Sequence, residues 1–311
     1  MNNPLQKLFF ILLFSPLLGM FLLQLFRILN TEMTDSEELW LQMQHNRRDT
    51  LNATCLNKTL SRSEWQLEHR VAQQLFVDDY HKFIYCSVPK AGCSNWKKIL
   101  ILLKLNLSRD VADVIRGMVH KTNLLKTLSS YSPKKQVELL STYTKVMVTR
   151  HPLERLVSAY RDKFLHPSGY YSTVVANEIK VFSKRKQNFT ENVTFQEFIN
   201  YVVTRNLKNM DVHWKPMFLL CDPCNIHYDI LGKFETLSED ADRVLRRISA
   251  PESLYYPDSK SHASEKRTNN DITLDYLRKL TFDQVRMVME AYQIDFSMFG
   301  YSFPLKTGFF L

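Results

Sequence analysis

Two stretches of this 311-residue chain share one arrangement, a strand-forming run, a tight turn and a helix start. In the first, the alternating run from His81 to Val88 leads through Pro89-Lys90-Ala91-Gly92-Cys93-Ser94-Asn95. Trp96, Ile99, Leu100, Leu102 and Leu103 then recur at helical spacing. In the second, Lys145 to Thr149 reads as a buried strand. Arg150-His151-Pro152 turns the chain, and Leu153, Leu156, Val157, Tyr160 and Phe164 make an apolar helical face with Pro152 at the first helical position. At such a junction, free backbone N–H groups and the positive end of the helix dipole favour an anion. Two phosphate-sized sites on one chain suggest a nucleotide phosphorylated at two positions.

The chemistry of each turn supports this. Lys90 precedes the only glycine of the first turn, and Ser94 and Asn95 could cap the helix while offering hydroxyl and amide groups to a phosphate. The turn is not a Walker A loop: it has neither a second glycine nor a Gly-Lys-Ser/Thr ending, which argues against an ATPase or kinase. In the second turn, Arg150 emerges at the end of its strand. Ser158 lies two helical turns further on, where an arginine fork and a hydroxyl suit a terminal phosphate monoester. The plainer readings are that Arg150 pairs with Glu154 or caps a carbonyl, and that Ser158 is a small packing residue.

With the later blocks Asp211-Val212-His213-Trp214, Leu220 to Cys224, Tyr228 to Leu237 and Asp295 to Ser302, these segments resemble, in order over residues 76 to 304, the Golgi carbohydrate sulfotransferases of the HNK-1 type. That group includes the chondroitin, dermatan and N-acetylgalactosamine 4-O-sulfotransferases. The resemblance implies a three-layer α/β domain, similar to P-loop NTPases, with a parallel central sheet. It also implies 3′-phosphoadenosine 5′-phosphosulfate as donor, with Pro89, Lys90, Ala91, Gly92, Cys93, Ser94 and Asn95 at the 5′-phosphosulfate and Arg150 and Ser158 at the 3′-phosphate. Thr149 departs from the family's usual apolar residue, without expected consequence on a strand. The acceptor it implies is a glycan or glycosaminoglycan. The block around Cys224 to Asp229 looks more like the 4-O branch, acting on N-acetylgalactosamine, than the branch acting on the 3-position of glucuronic acid.

Sulfuryl transfer to a sugar hydroxyl needs a base for the hydroxyl proton, a cation on the departing phosphate, and in-line positioning. Lys90 is the natural cation. His120, between the two segments as in related sulfotransferases, is the first candidate base and His213 the second. No metal is required, because lysine, arginine and backbone amides can neutralise the nucleotide. A luminal glycosyltransferase is the rival enzyme; its Asp-x-Asp spelling occurs at Asp240-Ala241-Asp242, at the start of a helical run from Ser238 to Arg247. A non-catalytic glycan-binding protein that has kept the fold is the third reading.

Leu8 to Phe26 carries no charge and is long enough to cross a bilayer once as a helix. A cleaved signal peptide is the main rival, opposed by the length of the run and the lack of a small-residue cleavage site after it. The sequons at Asn52, Asn57, Asn106, Asn188 and Asn192 all follow the run, so the body is expected in the lumen. The organisation expected is a cytoplasmic tail (1–7), a signal anchor (8–28), a polar stem (29–75) that could be helical from Ser36 to Gln44, and the catalytic domain (76–311), held in the Golgi membrane. Strands are expected at Lys82–Val88, Lys145–Thr149 and Ile226–Leu231, and C-terminal helices at Leu274–Leu280 and Phe282–Tyr292.

The five cysteines suit structural disulfides in a secretory compartment, with Cys55 the expected odd thiol or intermolecular bridge and Cys86 and Cys93, which flank the first turn, read as simply buried. The net charge of +9 fits a polyanionic partner, and luminal topology argues against nucleic acid. Basic density includes Lys180, Lys184, Arg185 and Lys186, of which Lys184 to Lys186 form a candidate acceptor strip; the oligomeric state is left open.

Overall fold

The structure of the protein is a computed structural model that describes residues 16–56, 60, 66–107, 119, 124–166, 169–183, 192–257 and 266–303. The chain divides into two units, Met1–Arg48 and Asp49–Leu311. Helix α1 runs from Pro16 to Cys55, well beyond the short helical stretch expected in the stem. Among the described residues no helix is long and apolar enough to cross a membrane. Residues 8–15 of the expected anchor lie outside the described residues.

The second unit is built on a five-stranded sheet of order β3-β1-β2-β4-β5. Its strands are β1 (Leu75–Asp78), β2 (Phe83–Cys86), β3 (Lys126–Thr127), β4 (Thr144–Thr149) and β5 (Ile230–Lys233). Helices of eight or more residues follow α1 as α2 (Cys93–Leu105), α3 (Pro133–Thr142), α4 (Pro152–Phe164), α5 (Phe195–Val203), α6 (Leu237–Arg247), α7 (Asn270–Leu277) and α8 (Phe282–Met298). β2, β4 and β5 are parallel, as expected, but β1 pairs antiparallel with β2 and β3 antiparallel with β1, so the sheet is mixed. Strands of four and two residues are too short to show a period of their own. The last strand starts four residues later than expected, because Pro223–Ile226 forms a helical turn bounded by Asp222 and His227, both left-handed at φ 42° and 55°.

β2 and β4 are buried along their whole length apart from the first residue of β4, as parallel central strands are. Their register sets Cys86 beside Met147, and the register of β4 with β5 sets Thr149 beside Lys233. The three C-terminal strand ends therefore lie side by side, where open α/β sheets bind ligands. The turns at Val88–Gly92 and Arg150–Pro152 leave from adjacent strands. Thr149 does more than fill its strand: its hydroxyl donates to the Gly232 carbonyl at 3.2 Å and lies 3.2 Å from the Tyr301 hydroxyl.

Helix α4 packs its apolar stripe into a hydrophobic core. Leu153, Leu156, Val157, Tyr160 and Phe164 meet Phe195, Phe198, Trp214 and Tyr292 there. Disulfides join Cys86 to Cys221 and Cys55 to Cys224. Cys55 is therefore not the odd thiol; Cys93 is the free one. The reason is geometric: the end of β2 abuts the helix Met217–Cys221, whereas Cys93 opens α2 on the far side of the turn. Closing loops of 135 and 169 residues removes much denatured-state freedom, about 5 kcal/mol each in the chain-entropy account.

Candidate active site

The first turn is tight. Lys90 and Gly92 both sit in the left-handed region, at φ 71° and 84°. A Cβ on Gly92 would come within 2.6 Å of both Leu237 Cδ2 and the Tyr256 hydroxyl, which itself donates to the Gly92 carbonyl at 3.1 Å. Helix α2 starts at Cys93 with Gly92 as N-cap and no side chain capping it. Ser94 and Asn95 thus lie inside the first turn rather than capping it, and the Asn95 amide donates to the Pro257 carbonyl at 3.3 Å. The Asn95 N–H donates to the Gly92 carbonyl at 3.1 Å, while the N–H groups of Cys93 and Ser94, at the very start of the helix, remain a place for an anion.

Three residues of the second segment clasp the first turn. Arg150 Nη1 donates to the Lys90 carbonyl at 2.9 Å, and Arg155 Nε to the Pro89 carbonyl at 3.0 Å. Asp162 Oδ2 lies 3.2 Å from Lys90 Nζ. The two turns therefore converge.

Arg150 is almost wholly buried. Besides the Lys90 carbonyl it donates to the Thr268 carbonyl, lies 3.5 Å from Glu154 and stacks 4.1 Å over the Phe234 ring. The plain reading of Arg150 as a carbonyl cap and partner of Glu154 thus holds for most of its fork, while Nε is buried without a partner. Burial lowers its pKa to about 10 against the pull of Glu154 and Glu235, so it stays charged at neutral pH. Ser158 is half-buried on α4, two turns beyond Arg150.

Arg155 is fully buried and satisfied by three carbonyls: Pro89, Lys215 at 2.7 Å and Val212 at 2.9 Å. It ties the phosphate-type turn to the stretch that carries His213. There Nδ1 of His213 lies 2.7 Å from Asp211 Oδ1 and 3.1 Å from the Tyr171 hydroxyl, which donates to Asp211 Oδ2 at 2.9 Å. A proton shared between Nδ1 and Asp211 leaves Nε2 as the basic nitrogen, the orientation used by histidine bases. Burial holds the His213 pKa below its ordinary value; Asp211 opposes this, and the charges of Lys163 and Lys90 reinforce it. His213 thus shares one electrostatic neighbourhood with Lys90. His120, the other candidate, lies outside the described residues.

The sequence profile of the Sulfotransferase family matches residues 73–302. This chain belongs to the sulfotransferase family. Carbohydrate sulfotransferase 9 of Homo sapiens is 40% identical over 273 residues, covering 85% of this chain and 61% of its own length. Carbohydrate sulfotransferase 8 of Mus musculus is 39% identical over 272 residues (85% and 65%), and carbohydrate sulfotransferase 11 of Rattus norvegicus 34% over 272 (83% and 76%). The chain thus spans less than two thirds of the length of the first two. No solved structure matches it.

The remaining sequence candidates divide clearly. Asp240 accepts from the Lys233 N–H at 3.0 Å and the Thr236 hydroxyl at 2.6 Å, and Asp242 from the Tyr256 N–H at 2.8 Å, so both carboxylates of the Asp-x-Asp spelling brace the fold. Cys221 and Cys224 bond to separate partners, not to each other. The candidate strip Lys184 to Lys186 lies outside the described residues, and Lys180 before it is buried. The asparagines of three sequons, Asn52, Asn106 and Asn192, are exposed; Asn57 and Asn188 lie outside the described residues.

Arg155, Asp162, Lys163, Tyr171 and Asp211 received no role from the sequence. A signal existed for Arg155, a charged residue within the buried stripe of α4. Asp211 pairs locally with His213, two residues on, whereas Asp162, Lys163 and Tyr171 are brought in by chain reversal, which no local pattern encodes.

Proposed function

We propose that this chain transfers the sulfuryl group of 3′-phosphoadenosine 5′-phosphosulfate to a hydroxyl of a glycan. The observation that carries this reading is the clasp between the two turns, through Arg150 and Lys90 and through Arg155 and Pro89. It supports one nucleotide held by its 5′-phosphosulfate at Pro89 to Asn95 and by its 3′-phosphate at Arg150 and Ser158. Family membership and the relatives' printed names, carbohydrate sulfotransferases, favour a sugar acceptor.

In the reaction, His213 Nε2 takes the acceptor's proton as its oxygen bonds to sulfur, and the bond from sulfur to the phosphate oxygen breaks. Lys90 stabilises the charge that gathers on that oxygen. The acceptor we favour is the 4-hydroxyl of N-acetylgalactosamine in chondroitin, dermatan or a terminal position, with the 3-hydroxyl of glucuronic acid as the other reading. Two disulfides and the sequons support a luminal catalytic unit, and the run from Leu8 a Golgi signal anchor.

The test uses the full chain, made in a secretory host and solubilised in detergent. It is incubated with labelled donor and chondroitin, dermatan and terminal N-acetylgalactosamine acceptors, and the sulfated position is mapped. Label should reach the sugar, and Lys90→Ala and His213→Gln should each lower kcat by about a hundredfold or more. The His213 role is wrong if His213→Gln turns over like the parent, and the whole reading fails if no carbohydrate accepts label.

A further inference from the structure

Lys163 is the neighbour of Asp162 on α4, and its ammonium lies 3.2 Å from the same oxygen, Asp162 Oδ2, that Lys90 approaches at 3.2 Å. All three side chains are largely withdrawn from solvent, with 15–19% exposed. Lys163 Nζ also sits 4.7 Å over the ring of Tyr171, whose hydroxyl reaches His213 and Asp211. One carboxylate thus gathers two cations between the phosphate-type turn and the His213 imidazole. Two ammonium groups held side by side suit an anionic ligand better than either alone.

We propose that Lys163 is a second catalytic cation, which with Lys90 flanks the departing phosphate while Asp162 holds the two ammonium groups in place. The inference rests on the sulfotransferase reading above. As the sulfur–oxygen bond to phosphate breaks, its electron pair stays on the phosphate oxygen. Both ammonium groups meet that charge, while the acceptor's proton passes to His213 Nε2. The groups facing His213 are Asp211, Tyr171, Lys163 and Lys90. Deleting Lys163 removes one of the two cations that hold the imidazole's pKa down, so the acidic limb of the rate profile must move to higher pH.

The test compares the full-length parent with Lys163→Met and Lys163→Arg, measuring kcat and donor KM across pH and affinity for adenosine 3′,5′-bisphosphate. Lys163→Met should lose about a hundredfold in kcat with its acidic limb shifted upward, and Lys163→Arg should regain most of the turnover. A Met variant within threefold of the parent, an unmoved limb, or an Arg variant as slow as the Met variant would each overturn the role of Lys163. A parent that neither binds the bisphosphate nor transfers label removes the underlying reading and this inference together, which separates the two failures.

Discussion

Replacing Arg155 by lysine keeps the charge and removes the fork. The guanidinium reaches three backbone carbonyls from a fully buried site: Pro89 in the phosphate-type turn, and Val212 and Lys215 on either side of His213. A lysine ammonium is a single point on a flexible stem and cannot span carbonyls spread around a planar fork. If it keeps one, two buried acceptors lose their donor, at about 1–3 kcal/mol each, so the variant should be about 2–6 kcal/mol less stable. The loss is not confined to stability, because the same side chain joins the turn proposed to hold the donor to the stretch carrying His213, the proposed base. Donor KM should rise and kcat should fall together. Urea unfolding of the full chain with its disulfides intact, followed by tryptophan fluorescence, gives the first quantity. Initial rates over a donor series give the second. A midpoint shift worth less than 1 kcal/mol, with an unchanged donor KM, would refute the claim that this fork assembles the site.

Two further outcomes follow from the geometry. Gly92→Ala places a methyl 2.6 Å from Leu237 and Tyr256 at a φ of 84°, so it should cost about 2–4 kcal/mol from overpacking and backbone strain, read as a lower melting temperature; an unshifted melt would contradict it. Asp295 is fully buried, accepts from the Met217 and Phe218 N–H groups at 2.7 and 2.9 Å, and burial raises its pKa to about 6. Because the folded value lies above the unfolded one, the folded state holds the extra proton at low pH and stability falls as pH rises. Between pH 5 and 7 this group should contribute a loss of about 1 kcal/mol. Asp295→Asn should flatten that part of the profile, and parallel curves for parent and variant would show that the carboxyl does not titrate there.

Much of the two-turn site was legible because it is written locally. The runs before Pro89 and Arg150 are apolar and β-branched, Pro152 marks the helix start, and the stripe Leu153, Leu156, Val157, Tyr160 and Phe164 is buried as its spacing predicts. What stayed hidden depends on chain reversal. β1 and β3 are held by pairing and not by pattern. Cys55 finds Cys224 across 169 residues, and Asp162 and Lys163 gain meaning only when α4 lies along the first turn. Arg150 was the instructive case. Its side-chain chemistry suited a phosphate, yet most of its donors go to the backbone of Lys90 and Thr268, so its first task is to fasten the turns together.

The bond between Cys86 and Cys221 fixes a calendar for biosynthesis. The thiol at the end of β2 leaves the ribosome 135 residues ahead of its mate, and β5, which completes the sheet beyond β4, follows later still. A nascent chain can lay down the first turn early but cannot lock it until two thirds of the polypeptide is made. Maturation of the cleft between the two turns is therefore a late event, dependent on an oxidant at hand when the Cys221 region arrives.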